Sequence, residues 1–177
     1  SLASLSERPE EMVELVNQQT EIGLLMAMPG LLGVLAFAEI LVNLAYSNAF
    51  LPAVVLLRWF SVGSILRVIS WPMTFVMMAV GATRLYALIQ TLFNLVHILL
   101  IWLFLELYGL KGAAIAFFVA YLVQTLLVYY ISRWMIGLRW SSEVFRLLFY
   151  SLLAVVSVLL LRFIDAEWLQ LLLSLVF

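Results

Sequence analysis

Apolar positions along this chain are grouped in long continuous runs, and most polar positions fall in the short turns between them. A helix needs about 20 apolar residues to cross a hydrocarbon core, and these runs are long enough to do so. The short alternating strands typical of a transmembrane barrel do not occur in the pattern. The sequence therefore predicts an all-α, polytopic transmembrane helical bundle of about 5–6 spans.

The runs divide the chain into three parts. Residues 1–21 form a polar, amphipathic segment that is expected to lie outside the membrane. Residues 22–134 hold four predicted spans, at about 22–46, 52–80, 85–108 and 113–134. Residues 143–177 supply additional C-terminal helices, the last of them truncated. Because the chain opens without Met and closes on an apolar run too short to span, we expect it to be an excerpt of a longer protein.

Capping signals mark where several helices begin. Ser6 is placed to cap the opening amphipathic helix, and Pro9 suits its first turn. Ser142 is the predicted N-cap of the fifth span, which we place at about 143–163. The polar residues at 164–167 predict a break before the truncated final helix.

Composition excludes several classes of protein. Hydrophobic residues make up 67% of the chain and charged residues 11%, whereas a soluble domain has about 45–50% and about 25%. The chain has no cysteine and a single histidine, so neither a thiolate metal site nor a histidine-based zinc cluster is expected. We predict no cofactor, no metal and no nucleic-acid partner. The short loops lack a large catalytic segment, so an enzyme is not expected either.

The distribution of basic residues predicts the orientation, because loops rich in Lys and Arg stay in the cytoplasm. With five alternating spans, five basic residues fall on one side of the membrane: Arg8, Arg84, Arg133, Arg139 and Arg146. Lys111 and Arg162 fall on the other side. The first side is therefore predicted to be cytoplasmic, and it includes residues 1–21.

Two arginines lie within the second predicted span. A charge at the centre of a bilayer costs about 2.5–3.5 kcal/mol on insertion scales, so each arginine requires an explanation. Arg58 lies roughly 9 Å from the Pro52 end, close enough for its side chain to reach the interface. Arg67 lies roughly 22 Å in, and its natural partners are a phosphate or a carboxylate. We expect Arg67 to bind an anion in a hydrated path, unless a carboxylate elsewhere in the protein makes it structural.

Other polar residues within the spans are candidates for the same path. Gln90, Asn94 and His97 follow one another at i, i+4 and i+7, which predicts either a polar cavity wall or hydrogen bonds between helices. His97 and Glu39 are candidates for ion coupling, although Glu39 is also placed to pair with Arg58. Two prolines inside the spans, Pro29 and Pro72, are the expected bending points.

A series of motifs points to a family. The chain reads "ASLSE", then "LLMAMPGLLGVLAFAEILVNLAYSNAF", then "LPAVVLLRWFSVGSILRVISWPMTFVMMAVG", and later "YGLKGAAIA". From residue 1 to about 133, this order resembles the second half of bacterial O-antigen and exopolysaccharide flippases. They belong to the multidrug/oligosaccharidyl-lipid/polysaccharide exporter superfamily, and their helices form two lobes around a central cavity.

The resemblance implies a function. It makes the chain the C-terminal lobe of a flippase that moves an undecaprenyl-diphosphate-linked oligosaccharide across the bacterial inner membrane by alternating access. Arg58 and Arg67 would then hold the substrate, with Gln90, Asn94 and His97 lining the cavity. Implied partners are the lipid-linked oligosaccharide, membrane lipids, the N-terminal lobe of the same chain, and polysaccharide polymerase or assembly proteins.

Two other functions fit the sequence. A drug/cation antiporter of the same superfamily would need acidic residues deep in the membrane, where Glu39 is the main candidate. A non-transporting membrane scaffold of a polysaccharide assembly complex would instead bury Arg67 within protein.

Overall fold

The computed structural model describes residues 9–46 and 48–176, with side chains described for residues 9–46 and 49–161. The described residues form five long helices and one short 3₁₀ turn at Asn48–Phe50, without any strand. The helices are α1 (Pro9–Ala45), α2 (Ala53–Ala79), α3 (Thr83–Tyr108), α4 (Leu110–Ile136) and α5 (Ser142–Val176). The predicted all-α helical bundle is confirmed.

All five helices are long and apolar enough to cross a membrane, with the fifth candidate span at Ser142–Leu161. Packing follows the order α5, α1, α2, α4, α3, each helix contacting the next. The core of this arrangement is rich in methionine and aliphatic side chains, and it includes Leu24, Leu35, Met73, Met77 and Val128. A thioether chain fills irregular gaps between helices, which suits a seam where three helices meet.

α1 is one helix of 37 residues and runs without a break through the predicted boundary between residues 21 and 22. Its first two turns are not solvated on all sides, because Met12 and Val16 are buried in the core. Pro29 lies within the helix and is exposed. The placement of residues 9–21 outside the membrane stays a prediction, and the helix has no break at the end of this segment. The predicted cap Ser6 lies outside the described residues.

The start of α5 differs from the prediction by one residue. The backbone N–H of Val144 donates to the Ser141 hydroxyl at 3.1 Å, so Ser141, not Ser142, caps the helix. The Ser142 hydroxyl instead donates to the neighbouring Glu143 carboxylate on the surface. Ser141 and Ser142 have the same side chain. Ser141 also bonds to Asn17 and Glu21 on α1, and these contacts favour it as the cap.

The C-terminal part also differs from the prediction. The sequence pattern predicted a break at 164–167, whereas α5 continues as a single helix from Ser142 to Val176. Aspartate and glutamate at this point interrupt the hydrophobic run but not the helix, because both residues are compatible with helical backbone. The described chain therefore has five helices where the pattern allowed a sixth.

α3 and α4 form the tightest hairpin of the fold. Gly109 is the only residue between them and takes φ +61°, which favours glycine. One turn later, a Cβ atom at Gly112 would collide with the backbone carbonyl of Phe104. Both glycines are therefore needed for the two helices to lie directly against each other.

Candidate functional site

Arg67 lies on the face of α2 that α5 does not cover. The opposite side of α2 meets α5 across an apolar groove lined by Val62, Ile65 and Ile69 from α2. At 100° per residue, Arg67 is turned about 160° from Ile69. Its side chain is accordingly exposed, in the middle of a helix that is long enough to span a membrane.

Two aromatic rings accompany the Arg67 guanidinium. Its Cζ atom lies 5.8 Å from the ring centroid of Trp71, one turn further along α2. The same atom lies 5.9 Å from the ring centroid of Tyr121, which belongs to α4. Both distances are within the range of cation–π attraction. Among the described residues, no carboxylate lies within salt-bridge distance of Arg67.

Tyr121 is held in turn by an aromatic cluster between α3 and α4. Its ring centroid lies 4.7 Å from that of Phe117, 5.3 Å from that of Phe93 and 6.1 Å from that of His97. The cluster is bounded by α2, because Gly63 lies directly against the Phe117 ring. Tyr121 therefore connects Arg67 on α2 with His97 on α3.

The backbone of α2 around Pro72 accepts several additional hydrogen bonds. Within the helix, the Ser70 hydroxyl donates to the Arg67 carbonyl at 2.9 Å and the Thr74 hydroxyl to the Ser70 carbonyl at 2.8 Å. From α4, the Ser132 hydroxyl donates to the Met73 carbonyl at 3.1 Å. These hydroxyls bond to the carbonyls of Arg67, Ser70 and Met73, and none of the three replaces the hydrogen bond that Pro72 cannot donate to the Val68 carbonyl. Pro72 itself is buried.

The predicted stripe of Gln90, Asn94 and His97 is only partly assembled. The Gln124 side-chain amide on α4 donates to the Gln90 side-chain carbonyl at 3.1 Å. His97 is half-buried in the aromatic cluster, whereas Asn94 is exposed. Two buried polar atoms in this seam, His97 Nε2 and Gln124 Oε1, have no hydrogen-bond partner among the described residues.

Arg58 and Glu39 stand apart from this cluster. Arg58 is half-buried, and it lies nine residues before Arg67, or roughly 14 Å along the helix axis and on its opposite side. Glu39 is exposed on α1. Both Arg58 and Glu39 are engaged in interactions with the rest of the chain. The structure thus brings Arg67 and His97 together through Tyr121, but it does not add Arg58 to that group.

The sequence reasoning missed Trp71, Tyr121 and Gln124. A signal for two of them was present, because Tyr121 and Gln124 follow Phe117 at i+4 and i+7, the spacing of one helix face. Since α3 and α4 are joined by a single residue, they are neighbours, but the structure is needed to show that this face meets the stripe that contains Gln90 and His97. No group of three metal-ligating side chains occurs in the described part of the chain.

These features define the class of the molecule: it is a multi-pass helical membrane protein with an exposed arginine and an aromatic cluster within its spans. No family model, curated protein or solved structure matches the chain.

Proposed function

We propose that the protein is a lobe of a transmembrane flippase that moves an undecaprenyl-diphosphate-linked oligosaccharide across the bacterial inner membrane. The observation that supports this proposal most directly is the exposure of Arg67 between Trp71 and Tyr121, in the middle of a span. A permanent charge at that depth requires water, a ligand or protein around it.

The chemistry of the guanidinium favours a phosphate ligand. Arg67 is charged at every accessible pH and presents its N–H donors in a planar fork that matches two phosphate oxygens. Because no described carboxylate neutralises it, its charge is available to an anion. A lipid diphosphate would bring such an anion to this depth while its polyprenyl chain stays in hydrocarbon.

The remaining predicted residues take supporting roles in this proposal. Gln90, Asn94 and His97 would present polar groups along α3 to the oligosaccharide, and Arg58 would serve as a second basic residue near the outer end. His97 and Glu39 are proposed for ion coupling, and Pro29 and Pro72 for bending during alternating access. The second lobe, membrane lipids and polysaccharide assembly proteins would be the partners.

An antiporter for cationic drugs is a weaker alternative. A drug/cation antiporter of this kind would require acidic side chains deep in the spans, where Glu39 is the main candidate, whereas the described cluster around Arg67 is aromatic and basic. A membrane scaffold would fit if Arg67 were covered by another protein segment. In that case its replacement would reduce the amount of folded protein rather than transport alone.

Complementation with the full-length protein tests the proposal. Arg67→Ala is compared with the wild type and with Arg84→Ala, which removes an exposed arginine at the predicted cytoplasmic end. Undecaprenyl-linked repeat units are assayed on each side of the inner membrane at matched protein levels. We expect Arg67→Ala alone to leave the repeat units on the cytoplasmic side. Normal translocation in that variant would refute the role of Arg67.

A further inference from the structure

The two rings at Arg67 come from different helices and are supported differently. Trp71 belongs to the same helix as Arg67, and its side chain is 60% exposed. Tyr121 belongs to α4 and is half-buried, with its ring packed against Phe117 and Phe93. The guanidinium therefore contacts one exposed ring, that of Trp71, and one ring that is fixed by its packing, that of Tyr121.

This arrangement restrains a side chain that is otherwise very mobile. An exposed arginine has several rotatable bonds, and a ligand that needs both donors of the fork must first immobilise them. Two cation–π contacts at 5.8 and 5.9 Å reduce that freedom before the ligand arrives. The hydrogen bond from the Ser70 hydroxyl to the Arg67 carbonyl holds the backbone at the same point.

We propose that Trp71 and Tyr121 are positioning residues that hold the Arg67 guanidinium as a fixed fork, so that the site recognises phosphate through two parallel N–H···O bonds. This inference rests on the proposed function of Arg67 and deepens it. Lysine carries the same charge without the planar fork, so it is a poor replacement at this site. The preference for arginine over lysine then depends on the two rings.

Binding of undecaprenyl diphosphate to the purified full-length protein in nanodiscs tests this inference. Removing one ring, as in Trp71→Leu or Tyr121→Leu, is expected to weaken binding about two- to tenfold, because the ligand must then immobilise the arginine side chain itself. Trp71→Phe and Tyr121→Phe keep a ring and are expected to bind like the wild type. Tyr130→Leu is the matched control for Tyr121→Leu. Tyr130 is an exposed tyrosine on α4, the helix that carries Tyr121, and it lies away from Arg67.

Comparing arginine with lysine at position 67, with and without the two rings, separates positioning of the guanidinium from a general loss of stability. In the wild-type background, Arg67→Lys should weaken binding about tenfold, because it removes one of two charge-assisted hydrogen bonds. With Trp71→Leu and Tyr121→Leu present, the same change should cost only about twofold, because the fork is no longer held. A variant that merely destabilises the lobe would leave the ratio of arginine to lysine binding unchanged.

The outcomes distinguish this inference from the proposed function. If Arg67→Ala abolishes binding while Trp71→Leu and Tyr121→Leu bind normally, the positioning role is overturned and the anion site stands. An unchanged arginine-to-lysine ratio in the ring-free background overturns the positioning role in the same way. If Arg67→Ala itself binds undecaprenyl diphosphate like the wild type, both the anion site and the inference fail. Trp71 is exposed, so Trp71→Leu gives a result even where Tyr121→Leu unfolds.

Discussion

The Ser141 hydroxyl donates a hydrogen bond to the Glu21 carboxylate at 2.9 Å while it accepts one from the backbone N–H of Val144. One side chain thus caps α5 and fastens that cap to α1. Asn17 lies beside it, accepting from the Ser141 N–H and donating to the Arg139 carbonyl. The loop between α4 and α5 is therefore attached to the first part of α1 by side-chain hydrogen bonds.

We predict that Ser141→Ala lowers the free energy of unfolding by about 1–2 kcal/mol, because it removes an N-cap and a hydrogen bond to a charged group. Ser142→Ala is the matched control, since among the described residues its hydroxyl donates to the exposed neighbour Glu143 alone. Thermal unfolding of the purified protein in detergent measures both. Equal losses for the two serines would contradict the assignment of the cap.

Asn17 should be more costly to replace than its neighbour Gln18. Asn17 is buried and bonded to two backbone groups of the α4–α5 loop, and each of these hydrogen bonds contributes about 0.5–1.5 kcal/mol. Gln18 is exposed, and its side-chain amide donates to the carboxylate of Glu14 in the same helix. Asn17→Ala is therefore expected to raise amide hydrogen exchange at residues 139–144, whereas Gln18→Ala should leave it unchanged. Identical exchange in both variants would argue against the attachment.

Gly63 is predicted to be a close-contact position between α2 and α4. A Cβ atom there would meet the Phe117 ring at 2.6 Å, so Gly63→Ala must displace that ring at a cost of about 1–3 kcal/mol. A Cβ atom at Gly30 on α1 would have nothing within 4 Å, so Gly30→Ala should be neutral or stabilising by about 1 kcal/mol. Thermal stability compares the two changes, and a stabilised Gly63→Ala variant would show that the helices are less tightly packed.

The Gln90–Gln124 pair should behave non-additively. Gln90→Leu leaves the Gln124 amide without the acceptor of its hydrogen bond, next to an oxygen that already has no partner. Replacing both residues with leucine removes these unpaired groups, so the double variant should be more stable than Gln90→Leu alone. A double-mutant cycle on unfolding measures the coupling, for which we expect about 0.6 kcal/mol, as for other hydrogen bonds between spans. A coupling of zero would mean that the pair does not form.

Hydrophobic run length was sufficient to predict the five spans, because the length of a span is set by the bilayer and not by its neighbours. It did not predict that α1 and α5 continue as single helices beyond those spans. The arrangement around Arg67 was not predictable to the same extent. Arg67 was recognisable as a charge at mid-span, but Tyr121 acts on it from another helix, and a single sequence does not give the rotation of one helix against another. The cap of α5 was not predictable for a similar reason. Glu21 and Asn17, which contact Ser141 from α1, determine which of the two adjacent serines is used.

The continuity of α1 has a mechanical consequence. At 1.5 Å per residue, a helix of 37 residues is roughly 55 Å long, whereas the hydrocarbon core is about 30 Å thick. A rod of that length moves one end by roughly 10 Å when it tilts by about 10° around the other. The α4–α5 loop is attached to α1 at Asn17 and Glu21, roughly 36–42 Å from the far end of the helix. The same tilt of α1 therefore moves the start of α5 by roughly 6–7 Å.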